Sequence, residues 1–253
     1  MLTTERKALL LDILGKEGRV VAKEVSQKLG LSEDTIRRDL RELAGEGLLQ
    51  RVHGGALPAS KALGDLPTRR NVSTDDKAEI AKVAAGMIRE GQIIFLDGGT
   101  TTVSLARALP KALRATVLTH SPDIVTALLD HPAVDVELIG GRIFKHSNVA
   151  VGAVAIEAIS QIRADLYFMG VTGIHPEHGL TTGDREEAAV KRAICRQAAE
   201  TIVLASREKL GAVSAYGVVS LHEVDGLVVG SKCPENLLGP LRDLGIHIID
   251  TSA

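Results

Sequence analysis

Aromatic residues are scarce: two Tyr, three Phe and no Trp in 253 residues. A stacking platform for single-stranded nucleic acid needs several aromatic faces and is all but excluded. The core must be aliphatic. Cysteine is also scarce, and Cys195 and Cys233 alone make neither a disulfide framework nor a four-ligand zinc site. No apolar run reaches the roughly 18 residues of a membrane span. The stretch Met1-Leu2-Thr3-Thr4-Glu5-Arg6-Lys7 is charged at once with no apolar run behind it. No secretory signal is read there, and a cytoplasmic location is expected. Strong net charge is missing too, at −2 overall. Residues 1–60 carry ten Lys/Arg against nine Asp/Glu, and the rest carries twenty against twenty-three. Any nucleic-acid partner must therefore be read from where the cations sit. The apolar share of 45% and charged share of 25% are those of a globular protein. The length suits one large domain or two modest ones.

The first sixty residues read as three helices and a hairpin. Thr3 or Thr4 caps a helix over about 5–16 with Leu9, Leu10, Ile13 and Leu14 on one face. Val20-Val21 is a short extended step, and 22–29 form a second helix stopped by Gly30. Ser32 caps a third helix that runs to about Ala44. Residues 48–52 and 56–57, around His53-Gly54-Gly55, read as a β-wing. This order is a winged helix-turn-helix, assigned to 1–57. Residues 58–73, with Pro58, Gly64 and Pro67 and little periodicity, read as a linker. From 74 to 253, helices near 75–89, 101–109, 122–129, 152–161, 184–198 and 234–243 alternate with short apolar strands. The fold class expected is α/β: the winged domain, then a mostly parallel sheet covered on both faces.

The third helix carries the strongest signal. Ile36, Leu40 and Leu43 share one face, while Thr35, Arg38 and then Arg41 or Glu42 fall away from it and Arg37 lies to the side. Such a helix lays its first turns in the major groove, where Arg pairs with guanine edges or phosphates. Asp39 is read as pairing locally with an Arg. The plainer reading, a solvated charged face, is disfavoured by the three-helix context and the basic wing at Arg51 and His53. The stretch VSQKLGLSEDTIRRDLRELAGEGLLQRVHGGA resembles the DNA-binding domain of the DeoR family of bacterial transcriptional regulators, through T-I-R-R-D-L at 35–40 and R-V-H-G-G-A at 51–56. The resemblance implies that Thr35, Arg37, Arg38 and Arg41 approach operator DNA, with Arg51, His53 and Gly54 in the wing.

The second signal is Leu96-Asp97-Gly98-Gly99-Thr100-Thr101-Thr102, after an apolar strand and opening a helix. Small residues let backbone N–H groups approach an anion, the helix N-terminus adds its dipole, and three hydroxyls add donors. An ordinary strand-to-helix turn explains the stretch equally well in isolation. Neither G-x-x-x-x-G-K-[ST] nor G-x-G-x-x-G is present, so a nucleoside triphosphatase or dinucleotide fold is disfavoured. LIGGRIF at 138–144, FMGVTGI at 168–174, GLTT at 179–182, EEAAVKRA at 186–193 and SREKLG at 206–211 resemble the DeoR sensor domain. That domain is similar in fold to ribose-5-phosphate isomerase. By this resemblance Asp97, Gly98, Gly99, Thr100, Thr101 and Thr102 hold the phosphate of a sugar phosphate. Lys191 and Lys209 face it as cations; Gly170, Thr172 and Gly173 line the floor; Arg142 is a weaker candidate.

Two departures from the related isomerases and regulators stand out. The strand near 165–171 is followed by Gly170-Val171-Thr172-Gly173-Ile174 without an acid, and 190–192 read Val-Lys-Arg. Isomerisation needs a base to move a proton between carbons, so binding without turnover is expected and no catalytic residue is assigned. His120-Ser121 stands where many family members carry two Asn, which bears on the sugar hydroxyls read there. His175 and His178 are read as exposed loop residues and not a metal pair, and Cys195 as a packed thiol. Glu187, in a first helical turn expected to be solvated, is a candidate for the pocket mouth. No cofactor is expected. The resulting expectation is a homo-oligomeric regulator, a repressor of a carbohydrate-metabolism operon that responds to a phosphorylated sugar and has no membrane partner. The alternatives are a sugar-phosphate isomerase-like enzyme with an appended DNA-binding domain, or an effector-insensitive DNA-binding protein.

Overall fold

A computed structural model describes residues 1–64 and 66–251. Helix α1 (Thr3–Glu17) starts earlier than predicted. Leu2 is its cap residue, and the Glu5 carboxylate accepts the Leu2 N–H at 2.9 Å, which places Thr3 and Thr4 inside the first turn. Strand β1 (Val20–Val21) and helix α2 (Ala22–Leu29) follow. Helix α3 (Glu33–Gly45) is capped as expected, with the Ser32 hydroxyl accepting the Thr35 N–H at 3.2 Å. Strands β2 (Leu49–Val52) and β3 (Gly55–Pro58) complete a three-stranded antiparallel sheet in the order β1-β3-β2. Leu10, Ile36, Leu40 and Leu43 are at most 1% exposed, and burial of each contributes roughly 1.5–3 kcal/mol.

The stretch 58–73, read as a linker of little periodicity, holds two short elements among its described residues. Pro58 closes β3 opposite Leu49, and Ala59 bridges Val213. A 3₁₀ turn spans Lys61–Leu63 and helix α4 spans Leu66–Arg70. Periodicity missed both because each is shorter than two helical turns.

Beyond it run α5 (Thr74–Met87), β4 (Ile93–Leu96), α6 (Thr100–Ala108), β5 (Ala115–Thr119), α7 (Pro122–Leu128) and β6 (Val134–Leu138). Next come β7 (Arg142–Phe144), β8 (Val149–Val151), α8 (Ala153–Ser160), β9 (Ala164–Gly170), β10 (Gly173–His175) and β11 (Gly179–Thr182). The chain continues through α9 (Arg185–Gln197), β12 (Ala198–Ala205), a 3₁₀ turn (Arg207–Lys209), β13 (Tyr216–Gly217), β14 (Gly226–Val229), α10 (Glu235–Asp243) and β15 (Ile248–Asp250). The stretch after β9, read from sequence as loop, holds the β10–β11 hairpin, with β13 added antiparallel to it.

The main sheet has seven strands, all parallel, in the order β15-β14-β12-β9-β4-β5-β6. Its pleat sorts side chains to two cores. Ile94, Leu96, Leu166, Phe168 and Ile202 pack on α5, α6 and α7. Phe95, Tyr167, Met169, Val203 and Leu227 pack on α8, α9 and α10. The chain runs outward from β4 to β5 and β6 on one side, and later strands build on the other side from β9. The strand order therefore reverses between β4 and β9, and ligands of open α/β sheets bind at the carboxyl ends of the strands at such a point.

Candidate functional site

On the winged lobe, Arg37, Arg38, Arg41, Arg51 and His53 are all exposed, and Thr35 is half-buried. The structure brings the α3 residues to one outer face and sets the wing strands beside it. Arg37 is held by Glu33 one turn back, at 2.7 Å, and the Thr35 hydroxyl is bonded to that of Ser32 at 2.9 Å. Arg38, Arg41 and Arg51 make no ion pair with described residues, so their guanidinium groups stand free over solvent. Asp39 corrects the sequence reading. It is fully buried and pairs with Arg6 of α1, 33 residues away, instead of with a neighbouring Arg. Its work is to clamp α3 to α1, which fixes the angle at which Arg38 and Arg41 are presented.

The second candidate is a cleft at the reversal point of the main sheet. Gly98, Gly99, Thr100, Thr101, Thr102, Gly170, Thr172, Lys191 and Lys209 all line it. Gly98 packs so closely that a Cβ there would sit 2.1 Å from Val149 Cγ1, and Gly99, at φ 134°, takes a conformation open to glycine. Together they bring the backbone to the cleft at the start of α6, whose first N–H groups lack intrahelical acceptors. The Thr102 hydroxyl is spent on the Gly99 carbonyl at 2.8 Å. Thr172 is spent on Thr181 and Ser214. The Thr100 side chain and the buried Thr101 side chain make no hydrogen bond to described residues.

Two predicted residues lie outside the lining. Gly173 packs under the Ala212 carbonyl within β10, where a Cβ would come to 2.5 Å, so it is a packing position. Asp97 is fully buried behind the wall. One carboxylate oxygen accepts from Gly98 N and His120 Nε2, each at 2.8 Å. The other accepts from Lys191 Nζ at 2.6 Å, Gly170 N at 2.8 Å and the Tyr167 hydroxyl at 3.1 Å. A carboxylate with every lone pair engaged does not hold a phosphate; it fixes the groups around the cleft. Burial alone would raise its pKa, but Lys191 and His120 outweigh that and hold it well below the usual carboxylate range. Lys191 mirrors this: burial works against its ammonium, and Asp97 and Glu187 keep it charged.

His120 is likewise buried, with Nδ1 against the Ala150 carbonyl at 2.8 Å and Nε2 against Asp97. Both ring nitrogens are thus engaged inside the protein. His120 thus belongs to the Asp97 hub, Ser121 donates to the Asn148 carbonyl at 3.4 Å, and neither residue lines the cleft. Arg142 is exposed, paired with Glu186, and outside the cleft.

The structure adds lining residues that sequence reasoning did not assign: Arg69, Lys77 and Glu208, with Ala62 and Val72 beside them. A signal for Lys77 was present. It sits three residues before Ile80, on the buried stripe of α5 with Ala81 and Ala84, where a charged side chain needs a reason to be. Its Nζ donates to the Arg69 carbonyl at 2.5 Å, and Lys209 Nζ donates to the Leu204 carbonyl at 3.0 Å. Neither ammonium has a carboxylate within ion-pair distance among the described residues. Burial lowers the Lys209 pKa most, Glu208 opposes, and the like charges of Lys77, Lys191 and Arg69 add to the fall, to about 8. Glu187, considered for the mouth, is buried in the lining and paired with Lys191 at 3.3 Å. No helix of the described residues is long and apolar enough to cross a membrane.

Comparison with known proteins agrees with both lobes. Residues 6–62 match the DeoR-like helix-turn-helix domain and 72–231 the DeoR C-terminal sensor domain. The chain is 33% identical over 254 aligned residues to the HTH-type transcriptional regulator GlpR of Haloferax volcanii, covering 99% of this chain and 98% of the relative. It is 32% identical to the HTH-type transcriptional repressor GlcR of Bacillus subtilis, over 99% of this chain and 97% of that one. It is 28% identical to the glycerol-3-phosphate regulon repressor of Escherichia coli, over 98% and 99%. Among solved structures, ribose 5-phosphate isomerase A of Methanocaldococcus jannaschii aligns with 54% of each chain at 17% identity and a TM-score of 0.41, too loose to carry an argument. With an exposed basic helix beside a wing, a parallel-sheet domain behind it, and family matches over both, the chain belongs to the DeoR family of transcriptional regulators.

Proposed function

We propose that the chain is a repressor whose winged lobe holds operator DNA and whose cleft binds a phosphorylated sugar or related metabolite that changes the affinity for DNA. The single observation that carries the effector reading is the convergence, in one cleft, of the α6 N-terminus with two buried ammoniums, Lys77 and Lys209, that have no carboxylate partner among the described residues. A helix N-terminus and unpaired cations together select an anion. Names of relatives point the same way, since one represses a glycerol-3-phosphate regulon. The effector must bind the DNA-free and DNA-bound forms differently, and the coupling is reciprocal. The test is fluorescence anisotropy on the DNA upstream of the chain's own gene, at fixed salt, with and without a panel of sugar phosphates. A shift in affinity with one of them supports the reading; binding that no phosphosugar alters sinks it. Assembly as a homo-oligomer on repeated half-sites completes the proposal, and light scattering in the presence of DNA tests it.

Turnover is not part of this reading. The cleft does contain two acids, Glu187 and Glu208. Glu187 is committed to Lys191 and to the Ser147 hydroxyl. Burial of Glu208 is outweighed by Lys209 and Ser206, which keep its pKa below the usual value and make it a weak base near neutrality. Interconversion of ribose 5-phosphate by the purified protein would overturn this part.

Two outcomes are expected. Arg38→Ala weakens operator binding by about 1–3 kcal/mol, read in the same anisotropy assay with helicity unchanged; an unaltered affinity would remove α3 as the reading helix. Anion binding weakens as pH rises through about 8, the Lys209 value in the free cleft. Below it the ammonium is charged and attracts the anion; above it the charge is lost. Titration with a sugar phosphate at pH 7 and pH 9.5 checks this, and equal affinities would place the anion away from Lys209.

A further inference from the structure

The basic cleft is not built by the sheet domain alone. The segment that leaves the wing supplies part of its wall through Ala62, Arg69 and Val72. Both ammoniums without a carboxylate partner among the described residues are tied to that segment. Lys77 donates to the backbone carbonyl of Arg69 at 2.5 Å. Lys209 sits on the 3₁₀ turn Arg207–Lys209, which packs against the segment's own 3₁₀ turn, Lys61–Leu63.

At its other end the segment is the wing itself. Pro58 is the last residue of β3, paired with Leu49 of β2, and its carbonyl accepts the Val213 N–H at 3.3 Å. Ala59 bridges Val213. Leu63 lies so close over Gly183, just before α9, that a Cβ there would meet Leu63 Cδ2 at 2.7 Å. Three residues separate Pro58 in the wing from Ala62 in the cleft wall. No other described contact between the two lobes is needed to connect them.

We infer that residues 59–72 are the element that reads effector occupancy, with Lys77 as the clasp: its ammonium binds the anion with one donor while another holds the Arg69 carbonyl. The inference rests on the effector reading of the cleft given above. An ammonium has three donors, and only one is used within the described protein. A bound anion takes the others, tightens Lys77 in place and so fixes the segment against the 3₁₀ turn that carries Lys209. Occupancy then restricts Pro58 and the wing strand it ends. A ligand shifts an equilibrium only through contacts that differ between two states, and contacts to this segment differ as soon as the wing moves on DNA.

Amide hydrogen exchange on the full chain, with inorganic phosphate as the probe, tests this. Phosphate is expected to slow exchange across 58–72 and in the wing strand as well as at 98–102. Lys77→Met keeps the buried volume and removes the charge; it is expected to weaken phosphate binding about tenfold or more and, at saturating phosphate, to leave 58–72 unprotected. Insertion of two glycines between Leu63 and Gly64 slackens the connection without touching either ammonium. It is expected to keep phosphate affinity and protection at 98–102 while abolishing the response of the wing strand. If phosphate protects 98–102 and 207–209 but leaves 58–72 unchanged, the inference is overturned and the effector site stands. If phosphate protects none of these, the effector site itself fails and the inference goes with it.

Discussion

Lys191→Met is expected to destabilise the α/β lobe by about 3–5 kcal/mol, because it leaves Asp97 buried and ionised without its main cation. The urea midpoint should fall with an unchanged slope, which marks lost stability and not an altered unfolded state. The size follows from the burial: both groups are at most 1% exposed, and the hub they form joins β4 and β9 through the Gly98 and Gly170 N–H groups. Acid unfolding is the second readout. Asp97 is held well below its usual pKa in the folded chain, so its contribution is complete above the unfolded value of about 3.8 and disappears as pH falls from there toward the depressed folded value. In Lys191→Met the folded pKa rises, the gap closes, and the acid transition moves to higher pH. A loss under about 1 kcal/mol would mean the pair behaves as a solvated surface bridge and that the hub does not hold the switch point together.

Asp39→Ala is expected to be equally severe for the winged lobe. It strands the Arg6 guanidinium at the α1–α3 contact, where Arg6 is 6% and Asp39 0% exposed. Removing one member of a buried pair costs about 3–5 kcal/mol, enough to unfold a lobe this small or leave it marginal. DNA binding should disappear although none of the exposed cations of α3 and the wing has been touched. Replacing both partners by apolar residues, Arg6→Met with Asp39→Leu, should recover most of the loss, because no charge is then left unpaired. The double-mutant cycle measures the coupling. If the single variant keeps its thermal transition and its operator affinity, Asp39 is not a clamp and the presentation of α3 depends on the apolar seam of Leu10, Ile36 and Leu40 alone.

These two carboxylates also mark how far local reading reaches. Ser32, Ile36, Leu40 and Leu43 reveal α3 because a cap and a 3.6-residue stripe are properties of thirteen consecutive residues. The parallel strands were visible for the same reason: each is an apolar run of a few residues bounded by turns. Asp97 and Asp39 sit inside legible motifs, which gave Asp97 a place in an anion-binding loop and Asp39 a neighbouring Arg as its partner. Their partners decided otherwise: Lys191 is 94 residues from Asp97, and Arg6 is 33 from Asp39. No periodicity encodes a contact at that separation.

Resemblance to the DeoR sensor domain pointed to Gly170, Thr172, Lys191 and Lys209, whereas the order of amino acids alone set the two architectures, the exposed cations of α3 and the wing, and the Gly98–Thr102 loop of the cleft. Each depends on hydrophobic period, turn residues or a contiguous motif, which are local. Only the tertiary structure decided that Asp97 supports the cleft from behind, that Gly173 packs outside it, and that Lys77 and Arg69 enter it. It also decided that the stretch after the wing contributes Ala62, Arg69 and Val72 to the cleft wall. Those outcomes depend on the strand order reversing between β4 and β9. That reversal opens a crevice into which the 59–72 segment folds, and it sets which charges meet where water is excluded.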